Sequence, residues 1–206
     1  MIKAEVTIVG TVKQTAQVKQ SQNGGFYYST SMATSIPQKE GGFKEVFVSL
    51  KAPKESSAGL EMFVSGQHVS VKGVLHFRKE GDQLYLNMNV KESAPVDPML
   101  SDNVTGELSM IGFLGNKAPE VKSGKNGKAF TTFSAYSGDG DDDNRVFTWV
   151  RFIRFSDTVE DFLVPKALIE AKGALELQFF KEKLTLSCRV SEVKRYIKQA
   201  PSDAGF

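Results

Sequence analysis

The chain repeats itself once, and the repeat constrains its fold more than any other feature. VGTV at residues 9–12 returns as IGFL at 111–114, a spacing of 102. Gly24 and Ser31 return as Gly127 and Ser134 at 103, and EVFVSL (45–50) returns as FTWVRF (147–152) at 102. VKGVL (71–75) and LYLNMNV (84–90) return as AKGAL (171–175) and LTLSCRV (184–190), both at 100. The drift falls in turns, where length changes are tolerated. A repeat of this size is a duplicated domain, and no shorter period marks a solenoid or propeller.

Each copy reads as strands rich in Val, Phe, Thr and Tyr between Gly, Asn and Lys turns. The first copy predicts strands over 2–13, 26–35, 43–51, 67–78 and 83–90, with one or two helical turns over 58–64. Five strands with a helix between the third and fourth is the order of an OB-fold, a Greek-key barrel whose closure removes exposed edges. The expected fold class is therefore all-β with short helices, as two tandem five-stranded OB barrels. Ala94-Pro95-Val96-Asp97-Pro98 breaks the strand pattern and predicts a connector. The expected divisions are a diverged first barrel (1–93), a linker (94–102), a second barrel (103–197) and a short tail (198–206).

Within the second copy, VFTWVRFIRF (146–155) holds the chain's single tryptophan. Period 2 puts Trp149, Arg151, Ile153 and Phe155 on one face, and Val150, Phe152 and Arg154 on the other. Two aromatics around a cation suit stacking on bases beside phosphates, but a strand buried on both faces reads similarly. The first copy separates the two readings. There Val46, Val48 and Leu50 are all apolar while Phe47, Ser49 and Lys51 are mixed, so the first set faces inward. Carried across, Val150 and Phe152 are core, Trp149 points out, and Phe47 holds the station of Trp149.

Composition excludes several classes. A hydrophobic fraction of 40% supports a packed core, and 26 basic against 24 acidic residues leave a net charge of +2. Bulk charge therefore does not announce a nucleic-acid binder, and local placement must carry any such claim. MIKAEVTIVG enters an alternating pattern at once, without the apolar core of a secretory leader, which predicts a cytoplasmic protein. The lone Cys188 reads as a core thiol in a reducing compartment. His68 and His76 lack partners at ligand spacing, so no metal or other cofactor is expected. Asp139, Asp141, Asp142 and Asp143 imitate the start of a calcium loop, yet its twelfth position is Val150, so they read as a solvated turn. No nucleophile elbow, P-loop or paired acids are present, and SGKNGK (123–128) reads as a turn, so the chain is expected not to be an enzyme.

Four elements of the second copy, IGFLGNKAPEVK, SGKNGKAFTTFSAYS, TWVRFIRF and EAKGALELQFF, stand in register and resemble the bacterial single-stranded-DNA-binding protein family. The first copy resembles it more distantly, best at STSMATS (29–35). The resemblance implies base stacking by Trp149, by Phe155 six residues on, and by Phe180 in the loop between strands four and five. The family's aromatic after strand two has no counterpart in SGDGDDDN. In the first copy Phe47 remains, while Pro53 and Glu80 stand at the other two positions. The resemblance also implies single-stranded DNA as ligand, roles in replication, recombination or repair, and a homodimer presenting four OB-folds. The family's acidic tail, which recruits replication and repair proteins, is reduced here to PSDAGF ending in Phe206.

Further candidates come from the residues. Tyr27 and Phe130 lie opposite in parity to Met32 and Phe133, and each either stacks on a base or packs as core. Arg151, and Arg154 at its strand end, suit phosphate contact or stacking. Lys44, Lys51, Lys72, Arg78 and Lys79 in copy one, with Lys122, Lys125, Lys128 and Lys172 in copy two, are candidates for a phosphate track. An RNA-binding or replication-restart OB protein, or an OB protein-interaction module, fits the same residues.

Overall fold

The computed structural model describes residues 2–124, 126–139 and 145–197. The first copy forms β1 (Ile2–Val12), β2 (Gln17–Gln20), β3 (Phe26–Pro37), β4 (Phe43–Pro53), β5 (His68–Glu80) and β6 (Gln83–Pro95). The second forms β7 (Asn103–Leu114), β8 (Glu120–Ser123), β9 (Ala129–Asp139), β10 (Val146–Arg154), β11 (Leu168–Phe180) and β12 (Lys183–Arg195). In each copy five strands close on themselves. β1 pairs with β3 and β5, β5 with β6, β6 in parallel with β4, and β4 with β3. β7, β9, β10, β12 and β11 repeat that circuit. This is the expected OB order, twice.

Glycines make the closure possible. A Cβ at Gly10 would sit 2.2 Å from the Ala33 carbonyl oxygen, and one at Gly112 would sit 2.4 Å from that of Tyr136. These are the corners where β1 and β7 bend from one neighbour to the other, and only a residue without a side chain lets the backbones meet there. The same register shift recurs at Lys72/Gly73 and Lys172/Gly173, at matched stations of the repeat.

Strict alternation fills the barrels. Val46, Val48, Leu50 and Ala52 of β4 point inward, as do Val150 and Phe152 of β10. Phe152 stacks on Phe133 with centroids 5.1 Å apart. Between strands β4 and β5 the expected helix is a single 3-10 turn, Leu60–Met62, with Leu60 fully buried. The second copy replaces it with a turn carrying buried Leu163. A few residues suffice because the segment's task is to plug the barrel with one leucine.

Two features were not expected. β2 and β8 are four-residue strands, exposed throughout, that form hairpins with β3 and β9. β6 also continues through Ala94 and Pro95, two residues into the stretch read as connector. At that end its sole partner is β5, so proline's missing N–H is harmless. The connector then crosses as a turn, with the Leu100 carbonyl 2.9 Å from His68 Nε2 and Ser35 donating to Asp102 at 2.8 Å.

The barrels join edge to edge. β1 and β7 run antiparallel from Ile2↔Met110 to Val9↔Asn103, making one twelve-stranded sheet. The register sets Glu5 directly opposite Glu107 at the centre of the seam.

Candidate nucleic-acid interface

The outer face of β10 carries the exposed residues of its strand. Trp149 is 51% exposed, and Arg151 beside it is exposed with no ion pair among the described residues. β9 supplies the facing side chains: Tyr136 is the cross-strand partner of Trp149, with ring centroids 4.8 Å apart. Phe147 meets Tyr136 edge-on at 5.3 Å, and Phe113 of β7 lies 6.0 Å from it. Gly115 leaves room for the indole, since a Cβ there would sit 3.1 Å from its ring. The result is a contiguous aromatic surface across three strands. Sequence reading found Trp149 but missed Phe113, Tyr136 and Phe147. Phe147 shares the parity of Trp149, and Tyr136 follows from pairing register, so both had a signal.

Trp149, Arg151 and Ser134 line two clefts, one on either side. The first, about 530 Å3, is also lined by Phe180, Lys39, Lys79 and Lys183. The second, about 490 Å3, runs toward Lys117 and Lys122. A ligand crossing the indole thus passes from one basic cleft to the other. Phe180 has the Lys39 ammonium 4.3 Å from its ring centroid and that of Lys181 at 5.5 Å. Two of the basic residues are held by acids. Lys183 hydrogen-bonds Asp82 at 2.8 Å, and this bond, then its charge, holds the Asp82 carboxyl below the usual range, with a smaller pull from Lys79. Lys122 lowers Glu120 in the same way at 2.9 Å.

Phe155 follows β10 and is exposed; its ring lies 6.5 Å from half-buried Phe130, and the Arg189 guanidinium is 5.7 Å from it. Phe130 and Phe155 therefore form a second aromatic pair, apart from the Trp149 group. In the first copy Phe47 is 61% exposed, and Lys51 on the same face reaches over the half-buried Tyr27 ring at 5.6 Å. Lys128 is exposed at the β8–β9 turn.

Several members of the expected phosphate track have acidic neighbours. Lys44, Lys72, Arg78, Lys122 and Lys172 are paired with Glu182, Glu92, Glu80, Glu120 and Glu170. Lys72 and Lys172 line grooves beside Glu5 and Glu107 at the seam, away from Trp149. Arg154 turns to Glu160 and is half-buried there, since its parity leaves it no outward path. Of the proposed set, Lys79 lines the first cleft beside Trp149, with Lys39 and Lys183, and Lys122 lines the second. Lys125, Asp141–Asp143 and the tail to Phe206 lie outside the described residues.

No protein-family model matches the chain, and no curated protein does. Solved structures do match. Wild-type single-stranded DNA binding protein from Thermus aquaticus is 16% identical with a TM-score of 0.46, covering 98% of this chain and 96% of its own. A small single-stranded DNA-binding protein from Streptomyces coelicolor is 15% identical with a TM-score of 0.36, covering 47% of this chain and 92% of its own. A mitochondrial single-stranded DNA binding protein from S. cerevisiae is 14% identical with a TM-score of 0.37, covering 46% and 96%.

Proposed function

We propose that this protein binds single-stranded DNA with little sequence preference and without catalysis. The observation that carries the reading is Trp149, half-exposed and braced by Tyr136 between two clefts with basic walls. Bases stack on the Trp149 group and on the Phe130–Phe155 pair, while Arg151 and the cleft lysines meet phosphates. A π-surface accepts any base, which gives affinity without sequence readout, at about 1–3 kcal/mol per stacked base. Phe47, Tyr27 and Lys51 form a lesser site on the first copy.

The resemblance of IGFLGNKAPEVK, TWVRFIRF and EAKGALELQFF supports the same ligand, and with it service in replication, recombination or repair in the cytoplasm. Two chains would present four barrels as a homodimer, with no cofactor. Recruitment of replication or repair proteins belongs to the same proposal.

Titration with oligo(dT) at low salt tests the reading. Stacking on the single tryptophan quenches its fluorescence; an unchanged signal contradicts the proposal. Competition by poly(U) as effective as that by poly(dT) would move the ligand to RNA. A Trp149 signal indifferent to both would favour a protein-interaction module.

A further inference from the structure

The cleft that holds Trp149 is built by both barrels. Arg151, Phe180 and Lys183 come from the second copy, Lys39 and Lys79 from the first. Lys39 sits in the β3–β4 turn, which is fastened across the seam. Its N–H donates to the Phe179 carbonyl at 2.9 Å, Gln38 bridges Phe179, and Lys44 pairs with Glu182. The Lys39 ammonium then lies over the Phe180 ring. Lys79 comes from the end of β5 and donates to the Phe147 carbonyl at 3.3 Å, beside the aromatic group. Neither lysine has an ion-pair partner among the described residues. By contrast Lys183, the second copy's own lysine in the cleft, is neutralised by Asp82 of the first.

Two cations without a salt bridge, Lys79 drawn only weakly to Asp82, are delivered by one barrel to the aromatic face of the other and are a means of holding a polyanion against that face. A phosphate chain releases counterions when it meets such cations, and it exchanges readily for the weak contacts they make with a ring or a carbonyl. We infer that the first barrel acts as the phosphate clamp of the second barrel's stacking site. Lys39 and Lys79 grip the backbone whose bases lie on Trp149, and Phe180 is a positioning residue that aims Lys39. The inference rests on the reading of Trp149 as a base platform, and it gives the first copy a role that does not depend on its own aromatics.

The test is an oligo(dT) titration of the full chain, read by Trp149 fluorescence over a salt series. Lys39→Ala and Lys79→Ala should each weaken binding on the order of fivefold, the scale of an exposed charge contact. Together they should flatten the log–log salt dependence by about 1.4, or about 0.7 per phosphate released. The quench at saturation should stay at the parent value, because stacking is intact. Lys91→Ala, which removes the same charge from the seam groove near Glu5, should change neither quantity. Phe180→Leu should weaken binding as Lys39→Ala does, and the pair should be no worse than either alone.

Parent affinity and parent salt slope in the Lys39→Ala/Lys79→Ala variant would overturn the clamp while leaving stacking in place. Additive losses for Lys39→Ala and Phe180→Leu would overturn the positioning role. A parent protein without quench would remove the stacking reading and the clamp with it.

Discussion

The two barrels share an interior and differ on one face. In the second copy Phe113, Gly115, Tyr136, Phe147 and Trp149 make the aromatic surface. The same stations in the first copy are Thr11, Lys13, Ala33, Glu45 and Phe47, and the pairings Thr11↔Ala33↔Phe47 repeat Phe113↔Tyr136↔Trp149. Where the second copy opens Gly115 under the indole, the first sets an ion pair, Lys13–Glu45 at 2.9 Å. Further along, the Phe130–Phe155 pair answers to Tyr27 opposite Pro53. Duplication followed by such divergence leaves the barrel untouched, because period 2 separates the residues that pack from those that bind. One face can then specialise while the other keeps the fold.

This comparison predicts unequal effects of matched substitutions. Trp149→Ala should weaken oligo(dT) binding by about 1–3 kcal/mol, the worth of one stacked base. Phe47→Ala, at the same station without aromatic neighbours, should cost a small fraction of that in parallel titrations. Equal losses would break the asymmetry. The converse is a transplant. Lys13→Gly with Glu45→Phe and Phe47→Trp should create a second platform and tighten binding by about 1 kcal/mol, at the low end of a stacked base, for oligonucleotides that reach both copies.

The interiors should respond alike. Cys188 stands where the first copy has Met88, each opposite a leucine of the preceding strand. Burial, with a smaller push from Glu176 and Glu107, raises its thiol to about 12. The folded protein should therefore resist maleimide at pH 8 and react once denatured. Because the unfolded thiol ionises first, this group lowers folded-state stability as pH climbs from 9.0 toward 12. Rapid labelling of the native protein would contradict the packing. The smallest expected effect concerns the seam, where Glu5 faces Glu107. Like charges directly opposite are unfavourable, so Glu107→Lys should raise stability by about 0.2–1 kcal/mol in a denaturant melt.

Much of this was legible in the sequence because a duplicated chain is its own control. Val46, Val48 and Leu50 set the parity that puts Trp149 outside, and the strand order gave the barrel. Other features depend on information that a linear reading lacks. Tyr136 was hidden because the missing aromatic was sought in the loop after β9, while the strand itself places a ring across from Trp149. β2 and β8 carry no burial pattern, having no buried face. Counting lysines does not show their acidic neighbours: Lys172 has Glu170 two residues away on its own strand, Lys72 meets Glu92 across a hairpin, and Lys44 meets Glu182 only once the two copies are folded together. Lys39 belongs to the cleft by the docking of one barrel on the other, which no local pattern encodes.

The central claim is that the second copy does most of the stacking. Ultraviolet crosslinking of the full chain to oligo(dT), followed by peptide mapping, tests it directly. Crosslinks should concentrate on peptides bearing Trp149, Tyr136, Phe147 and Phe155, with a minor signal at Phe47. A first copy crosslinked as heavily as the second, or more so, would contradict the account.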